Sequence, residues 1–391
     1  MKSTTSSLAL TVILMTMTLG CGHSKNGTPS GYADNKKLSL SQAESYSSYL
    51  ASQWRDSVKT ATEKEFQAKE ISMGEYSMKI HWSVFGDAPS DGRSLFISLH
   101  GGGGAPAEVN DQQWDNQKRL YKPEEGVYLC PRAITNTWDL HFRPESDDFY
   151  SEIIRMAVSQ LDVNPDKVYL MGYSAGGDGV WRLAPRMADT WAAASMMAGH
   201  PGDVSLVNLR NLPFMIWCGA LDQAYERNER CTERIAQMDS LHEKDPDGYV
   251  HEGHIVEGKG HWMDLQDAAA VPWMAKYKRN PRPDRIVWRQ EEVVKQDFYW
   301  LRVKPEEAQR GKEVIANIKG NTVTIEKCDY SSLTVYLDDR LVDLDKSVII
   351  TRDGEILFEG KVKRSPSVMR ETLRNRQDPS YIFYAEVELS L

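Results

Sequence analysis

The chain has 391 residues, 41% of them apolar and 26% charged, the composition of a soluble globular protein with room for two domains of ordinary size. Its 56 acidic residues outnumber 47 basic ones, giving a formal net charge of -9. With no lysine- or arginine-rich block, that balance argues against nucleic acid as a partner, because phosphate binding needs a basic face.

The N-terminal stretch "MKSTTSSLALTVILMTMTLGCG" places Lys2 ahead of an apolar run from Leu8 to Leu19 and ends on Gly20-Cys21. The run is too short for a permanent membrane helix and has the form of a secretory signal. Its end resembles the lipobox of bacterial lipoproteins, in which the cysteine is acylated, although Thr18 stands where leucine is usual. Residues 1–21 are therefore expected to be a signal peptide with Cys21 as the lipidated residue, and polar residues 22–37 a tether. The protein would be exported, to the periplasm or cell surface, with a lipid anchor as its membrane contact. Cys130, Cys218, Cys231 and Cys328 form no C-x-x-C pair, which argues against a zinc site.

Residues 39–66 read as a helix, with Tyr46, Leu50, Trp54, Val58 and Ala61 on one face. Strand-like runs follow in "EYSMKIHWSVF", "SLFISLH" and "GVYLCPRA". The segment "DFYSEIIRMAVSQL" has helical spacing, "DKVYLMGYS" and "LPFMIWCGA" are strands again, and "GYVHEGHIVEG" is a further one. Helical and strand periods alternate to about residue 280, the pattern of an α/β fold with a mainly parallel central sheet. The basic, proline-containing "KYKRNPRPDR" reads as a linker. Residues 281–391 are short strands broken by Lys-Gly-Asn and Asp-Gly turns, with one helix in "SPSVMRETLRNR", and are expected to form a β-rich, sandwich-like domain after an α/β domain at 38–280.

The chemistry concentrates around "VYLMGYSAGGDGVW". Gly172-Tyr173-Ser174-Ala175-Gly176 joins a buried strand to a helix, the setting in which G-x-S-x-G exposes a serine on a sharp turn. A serine hydroxyl needs an adjacent base, oriented by a third group. Beyond later strands, Asp222 in "GALD" and His261 in "GKGHW" fit the order nucleophile, acid, base; Asp264 and Glu226 are weaker candidates for the acid. "SLFISLHGGGGAP" supplies backbone donors after an earlier strand: Gly102, or less directly Gly103, would pair with the N–H of Ala175 as an oxyanion hole. No G-K-[ST] follows the glycines, so a nucleotide loop is not indicated. This chemistry calls for neither metal nor organic cofactor.

Taken together, "LHGGGG", "DDFYSEIIRMAVSQLDVNPDKVYLMGYSAGG", "GALD" and "GKGHW" resemble the α/β-hydrolase superfamily over residues 75–275. Within it the likeness is to secreted feruloyl and acetyl-xylan esterases and polyhydroxybutyrate depolymerases. The resemblance implies a serine esterase with Ser174 as nucleophile, His261 as general base and Asp222 as its partner. Its substrate would be a small-molecule or polysaccharide-linked carboxylic ester. Two other readings compete: a prolyl-oligopeptidase-like peptidase, and a polysaccharide-binding lipoprotein that has the fold without the chemistry. Nothing in the resemblance speaks to residues 285–391, whose Tyr299, Trp300, Tyr381 and Tyr384 read as core and whose "DDRLVDLD" reads as a solvated turn.

Overall fold

Tyr46, Leu50, Trp54 and Val58 recur every four positions. In the computed structural model, which describes residues 32–34 and 36–391, they line the buried face of helix α1 (Leu40–Ala61). Burying a side chain of this size contributes about 1.5–3 kcal/mol. Ser39 starts the helix: its hydroxyl accepts the Gln42 N–H while the Gln42 side chain accepts the Ser39 N–H, so two end donors are satisfied reciprocally. The single helix expected over 39–66 breaks at Thr62, whose hydroxyl donates to the Val58 carbonyl, and α2 (Glu63–Ala68) follows. A side chain that competes for a helix carbonyl in this way weakens continuation. The signal segment with Cys21, and most of the tether, lie outside the described residues.

The central sheet has eight strands: β1 (Glu70–Met73), β2 (Tyr76–Phe85), β3 (Arg93–Leu99), β4 (Gly126–Pro131), β5 (Val163–Tyr173), β6 (Ala193–Met197), β7 (Phe214–Gly219) and β8 (His251–Val256). Their spatial order is β1-β2-β4-β3-β5-β6-β7-β8. β2 runs antiparallel to β1 and β4, and every other pairing is parallel. Alternate residues divide between two apolar clusters: Leu95, Ile97, Val127, Leu129, Val168 and Leu170 join one. Phe96, Tyr128, Cys130, Tyr169 and Met171 join the other. Both faces are thus covered, which is why these strands read as continuous apolar runs rather than alternating ones. The connecting helices are α3 (Ala107–Gln117), α4 (Ser146–Gln160), α5 (Ala175–Arg186), α6 (Arg227–Lys244) and α7 (Ala270–Met274).

Beyond residue 284 come β9 (Arg285–Arg289), β10 (Asp297–Phe298), β11 (Leu301–Arg302), β12 (Glu313–Lys319), β13 (Thr322–Cys328), β14 (Ser332–Leu337), β15 (Val348–Arg352), β16 (Glu355–Gly360), helix α8 (Pro366–Arg376) and β17 (Ala385–Ser390). They form a five-stranded sheet, β16-β15-β13-β12-β9, and a four-stranded one, β10-β11-β14-β17. Asp353 and Gly354, with φ of 51° and 82°, make the turn between β15 and β16, a left-handed pair that matches strand twist. Tyr299, Trp300, Tyr381 and Tyr384 are buried, as expected of core.

Two polar stretches behave differently from the sequence expectation. In "KYKRNPRPDR", Arg279 and Arg282 are buried rather than solvated. Arg279 pairs with Asp166 and Asp378 at 2.7 Å, and Arg282 with Asp338 at 2.7 Å. "DDRLVDLD" is solvated only in part: Arg340, Asp343 and Asp345 are exposed, but Asp338 is fully buried between Arg282 and Arg340, and Asp339 and Asp345 both hold Arg364. Pairing and hydrogen bonding offset the desolvation cost that keeps unpaired charges at the surface. One apolar cluster runs from Leu38 through the central sheet into both C-terminal sheets, and the Trp54 indole N–H donates to Gln377 beyond α8.

Candidate active site

Ser174 stands between β5 and α5 with φ 58° and ψ -121°, a conformation that costs of order 1–3 kcal/mol in a non-glycine residue and persists only where surroundings enforce it. Here they do. The Ser174 N–H donates to the Met197 carbonyl at 2.9 Å, and its carbonyl accepts the Asp178 N–H at 2.9 Å. The flanking glycines are required by contact: a Cβ at Gly172 would lie 2.3 Å from the Gly176 oxygen, and one at Gly176 would lie 2.2 Å from the Leu99 oxygen. The two glycines let the strand, the helix and β3 approach closely enough to force the turn.

The turn raises the Ser174 hydroxyl to His261, 2.9 Å from Nε2. On the other side of the ring, His261 Nδ1 is 2.7 Å from Asp222 Oδ2. An ionised carboxylate only accepts, so Nδ1 carries the proton and Nε2 is free to accept from the serine. Asp222 is 2% exposed at its side chain and His261 43%: the acid is shielded while the base faces the solvent side of the site. Their loops are clamped together. The Leu221 N–H donates to the Lys259 carbonyl at 2.8 Å, and a Cβ at Gly219 would lie 2.0 Å from the Gly260 oxygen. The Tyr173 hydroxyl donates to the His261 carbonyl. The alternative acids point elsewhere: Asp264 pairs with Lys259 at 2.5 Å and Glu226 with Arg230 at 2.7 Å.

The glycine loop lies against the elbow, and only part of it is available. The Gly103 N–H donates to Asn110 Oδ1 at 2.9 Å, which corrects Gly103 as a candidate donor: its proton is already committed. Gly102, at φ 109°, has no room for a side chain, since a Cβ would lie 2.3 Å from the same Asn110 oxygen. Among the described residues no acceptor takes the N–H of Gly102 or of Ala175. The start of the loop is fixed by His100, whose Nδ1 donates to the Gly101 carbonyl at 2.6 Å and whose Nε2 accepts the Ala133 N–H at 3.1 Å. His141 Nε2 donates to the His100 carbonyl at 2.8 Å, and its Nδ1 accepts from the Tyr150 hydroxyl at 3.1 Å. Burial lowers the His100 pKa to about 3 and puts that of His141 well below the usual histidine range, so both rings are neutral and can accept as well as donate.

Sequence reasoning missed Asn110, His141, Tyr173 and Gly219. His141 acts on the His100 carbonyl, 41 residues away in the chain, and Asn110 on nearby loop backbone that no motif marks. Gly219 sits inside the "GALD" stretch, but its reason, the approach of Gly260, has no sequence signal. Among the four tryptophans that neighbour the site in sequence, Trp181 and Trp191 are fully buried, whereas Trp138 and Trp262 are 66% and 48% exposed. The four cysteines are buried free thiols. Among the described residues no three His, Cys, Asp or Glu converge as metal ligands.

A strained serine between a strand and a helix, with its acid and base following in the order Ser174, Asp222, His261, has the geometry of a nucleophile elbow. No protein-family model matches the chain. The Nocardia uniformis subsp. tsuyamanensis protein described as "Putative esterase NocK" is 30% identical over 130 residues, 31% of this chain and 37% of its own length. The chain therefore spans little more than a third of that relative. Among solved structures, a thermostable esterase overlaps 54% of this chain and 62% of its own, with 16% identity and a TM-score of 0.41. The BES protein from Bacillus cereus overlaps 53% of this chain and 92% of its own, with 10% identity and a TM-score of 0.39. The Staphylococcus aureus serine hydrolase FphF overlaps 53% and 96%, with 12% identity and a TM-score of 0.38.

Proposed function

We propose that the protein hydrolyses carboxylic esters through an acyl-enzyme on Ser174. The observation that carries this reading is the relay of 2.7 Å from Asp222 to His261 and 2.9 Å from His261 to Ser174, set beside the two uncommitted N–H groups of Gly102 and Ala175. His261 Nε2 takes the hydroxyl proton as Ser174 Oγ attacks the ester carbonyl. Gly102 and Ala175 donate to the oxyanion, and the imidazolium, stabilised by buried Asp222, returns its proton to the departing alcohol oxygen. Water then enters, His261 removes its proton, and the acid leaves. Preorganised donors of this kind supply about 10²–10³ in rate each. Trp138 and Trp262, exposed beside the site, offer flat apolar surfaces of the sort that suit an aromatic or sugar ring.

The test is hydrolysis of p-nitrophenyl acetate and butyrate by protein beginning after Cys21, beside its Ser174→Ala variant. Turnover that vanishes in folded Ser174→Ala supports the reading; equal turnover in both overturns it. Export and anchoring through Cys21 belong to the same proposal and rest on the sequence of residues 1–22 alone. Incorporation of labelled fatty acid into wild-type chain but not into Cys21→Ser tests that part.

A further inference from the structure

Two cavities flank the Ser174 hydroxyl, and they are chemically unlike. One, of about 620 Å³, is lined by Ser174, His261 and Trp262. The other, of about 370 Å³, starts at Gly102 and Ala175 and reaches Arg227, and neither Ser174 nor His261 lines it. On the esterase reading above, His261 must protonate the departing alcohol, so the alcohol half belongs in the cavity that His261 lines. With the carbonyl oxygen held by Gly102 and Ala175, the acyl half extends into the other.

That acyl cavity contains a cation with unused donors. The Arg227 side chain is 10% exposed, and the nearest carboxylate oxygen, Asp222 Oδ1, lies 3.8 Å from its Nη1, beyond hydrogen-bond reach. Nη1 makes one long bond, 3.4 Å to the Ala224 carbonyl. Nε is buried without an acceptor, and no bond to Nη2 occurs among the described residues. Arg182 and Asp178 line the same cavity. Arg182 donates to Asp203 at 2.8 Å, and Asp178 accepts the His200 backbone N–H at 2.6 Å. His200 Nδ1 accepts the Gly202 N–H at 3.0 Å, so in the neutral ring the proton sits on Nε2, a second donor in the same wall. Trp138, Phe142 and Tyr225 supply the apolar remainder.

Asp222 supplies this guanidinium with charge but no hydrogen bond, and the Tyr225 ring lies 4.9 Å from its carbon; Nε and Nη2 still lack acceptors among the described residues, and the planar fork fits a carboxylate. We infer that the acyl half of the substrate ends in a carboxylate that pairs with Arg227, with His200 Nε2–H as a second donor. The preferred substrates are then monoesters of dicarboxylic acids. Water is the only co-reactant: the ester C–O bond breaks, the alcohol keeps the proton delivered by His261, and the dicarboxylate is released.

The experiment compares monophenyl glutarate with phenyl pentanoate, which share a leaving group and differ by a terminal carboxylate in place of a methyl. Ser174→Ala protein gives the background for each. The expected result is a kcat/KM for wild type about ten- to hundredfold higher on the glutarate, the worth of one hydrogen bond to a charged group. That preference should collapse toward one in Arg227→Gln and partly return in Arg227→Lys. A wild-type ratio of one or below overturns the inference, whether or not the variants fold. A high ratio that survives in folded Arg227→Gln overturns the assignment to Arg227. Absence of Ser174-dependent turnover on both esters instead overturns the esterase reading, and the acyl-carboxylate assignment falls with it.

Discussion

Asn110 Oδ1 accepts the backbone N–H of Gly103 at 2.9 Å, while Nδ2 of the same side chain donates to the carbonyls of Ala105 and Pro106 at 2.9 and 3.2 Å. Asn110 is fully buried, so one amide pins the far side of the glycine loop, from Gly103 to Pro106. By occupying Gly103 it leaves Gly102 as the donor presented beside Ala175. Asn110→Ala should misplace that donor and lower kcat on p-nitrophenyl acetate by about 10²-fold, the scale of a lost oxyanion contact. Unchanged kcat in a variant with native circular dichroism would show that the loop keeps its shape without Asn110.

Asp222 fixes the tautomer of His261. In Asp222→Asn the amide nitrogen can face Nδ1, which would then have to accept, placing the proton on Nε2 where it blocks the serine. Activity should fall by about 10⁴-fold, with little change in stability because the amide is isosteric. Burst titration with p-nitrophenyl acetate checks this: acylation should become the slow step. A loss smaller than tenfold would mean that Asp222 does not orient the base.

The sequence was most informative where residue type, spacing and local context act together. Ser174, Asp222 and His261 each follow a strand, and the folded chain brings all three within hydrogen-bond distance. Gly102 ranks ahead of Gly103 in the sequence, but what excludes Gly103 is an acceptor, Asn110 Oδ1 on α3, that the sequence does not place. The buried arginines were illegible for a related reason. Arg279 and Arg282 look like linker charges until Asp166, Asp378 and Asp338, far away in the chain, are folded against them. Arg227, at the start of α6, carries no motif that marks it in the sequence, and its significance comes from acceptors it lacks in the fold.

Acid should destabilise the loop scaffold. His100 has a folded pKa of about 3 against an ordinary 6.5, and that of His141 is lowered in the same direction, both by burial. Between those values the unfolded chain binds protons that the folded chain refuses, so stability rises with pH there and is lost on acidification. The loss is about 1.4 kcal/mol per pH unit for His100, and His141 adds to it in the same direction. Glu291 works the other way: burial, with Glu292 beside it, lifts its pKa from 4.5 to about 7. It therefore adds stability as pH falls from 7 towards 4.5. Thermal melts from pH 7.5 to 4.5 should show a falling Tm, and Glu291→Gln should make that fall steeper. An equal slope in wild type and variant would mean that Glu291 titrates as an exposed carboxylate does.

Arg282 and Asp338 tie the strand-rich C-terminal part to the chain that leads out of the central sheet. Their side chains are 4% and 0% exposed and 2.7 Å apart. Arg282 also donates to the carbonyls of Ser380 and Ile382. Removing one partner leaves a buried charge without compensation, so Asp338→Ala should cost about 3–5 kcal/mol. The double change Arg282→Met with Asp338→Leu should cost much less, because neither charge remains. Since one apolar cluster spans the central sheet and both C-terminal sheets, that cost should appear in the whole molecule. In urea, Ser174-dependent esterase activity and far-ultraviolet circular dichroism are expected to be lost together, at a midpoint lowered in Asp338→Ala. Two separate transitions, with activity surviving the one that the substitution shifts, would instead make residues 281–391 an independent folding unit.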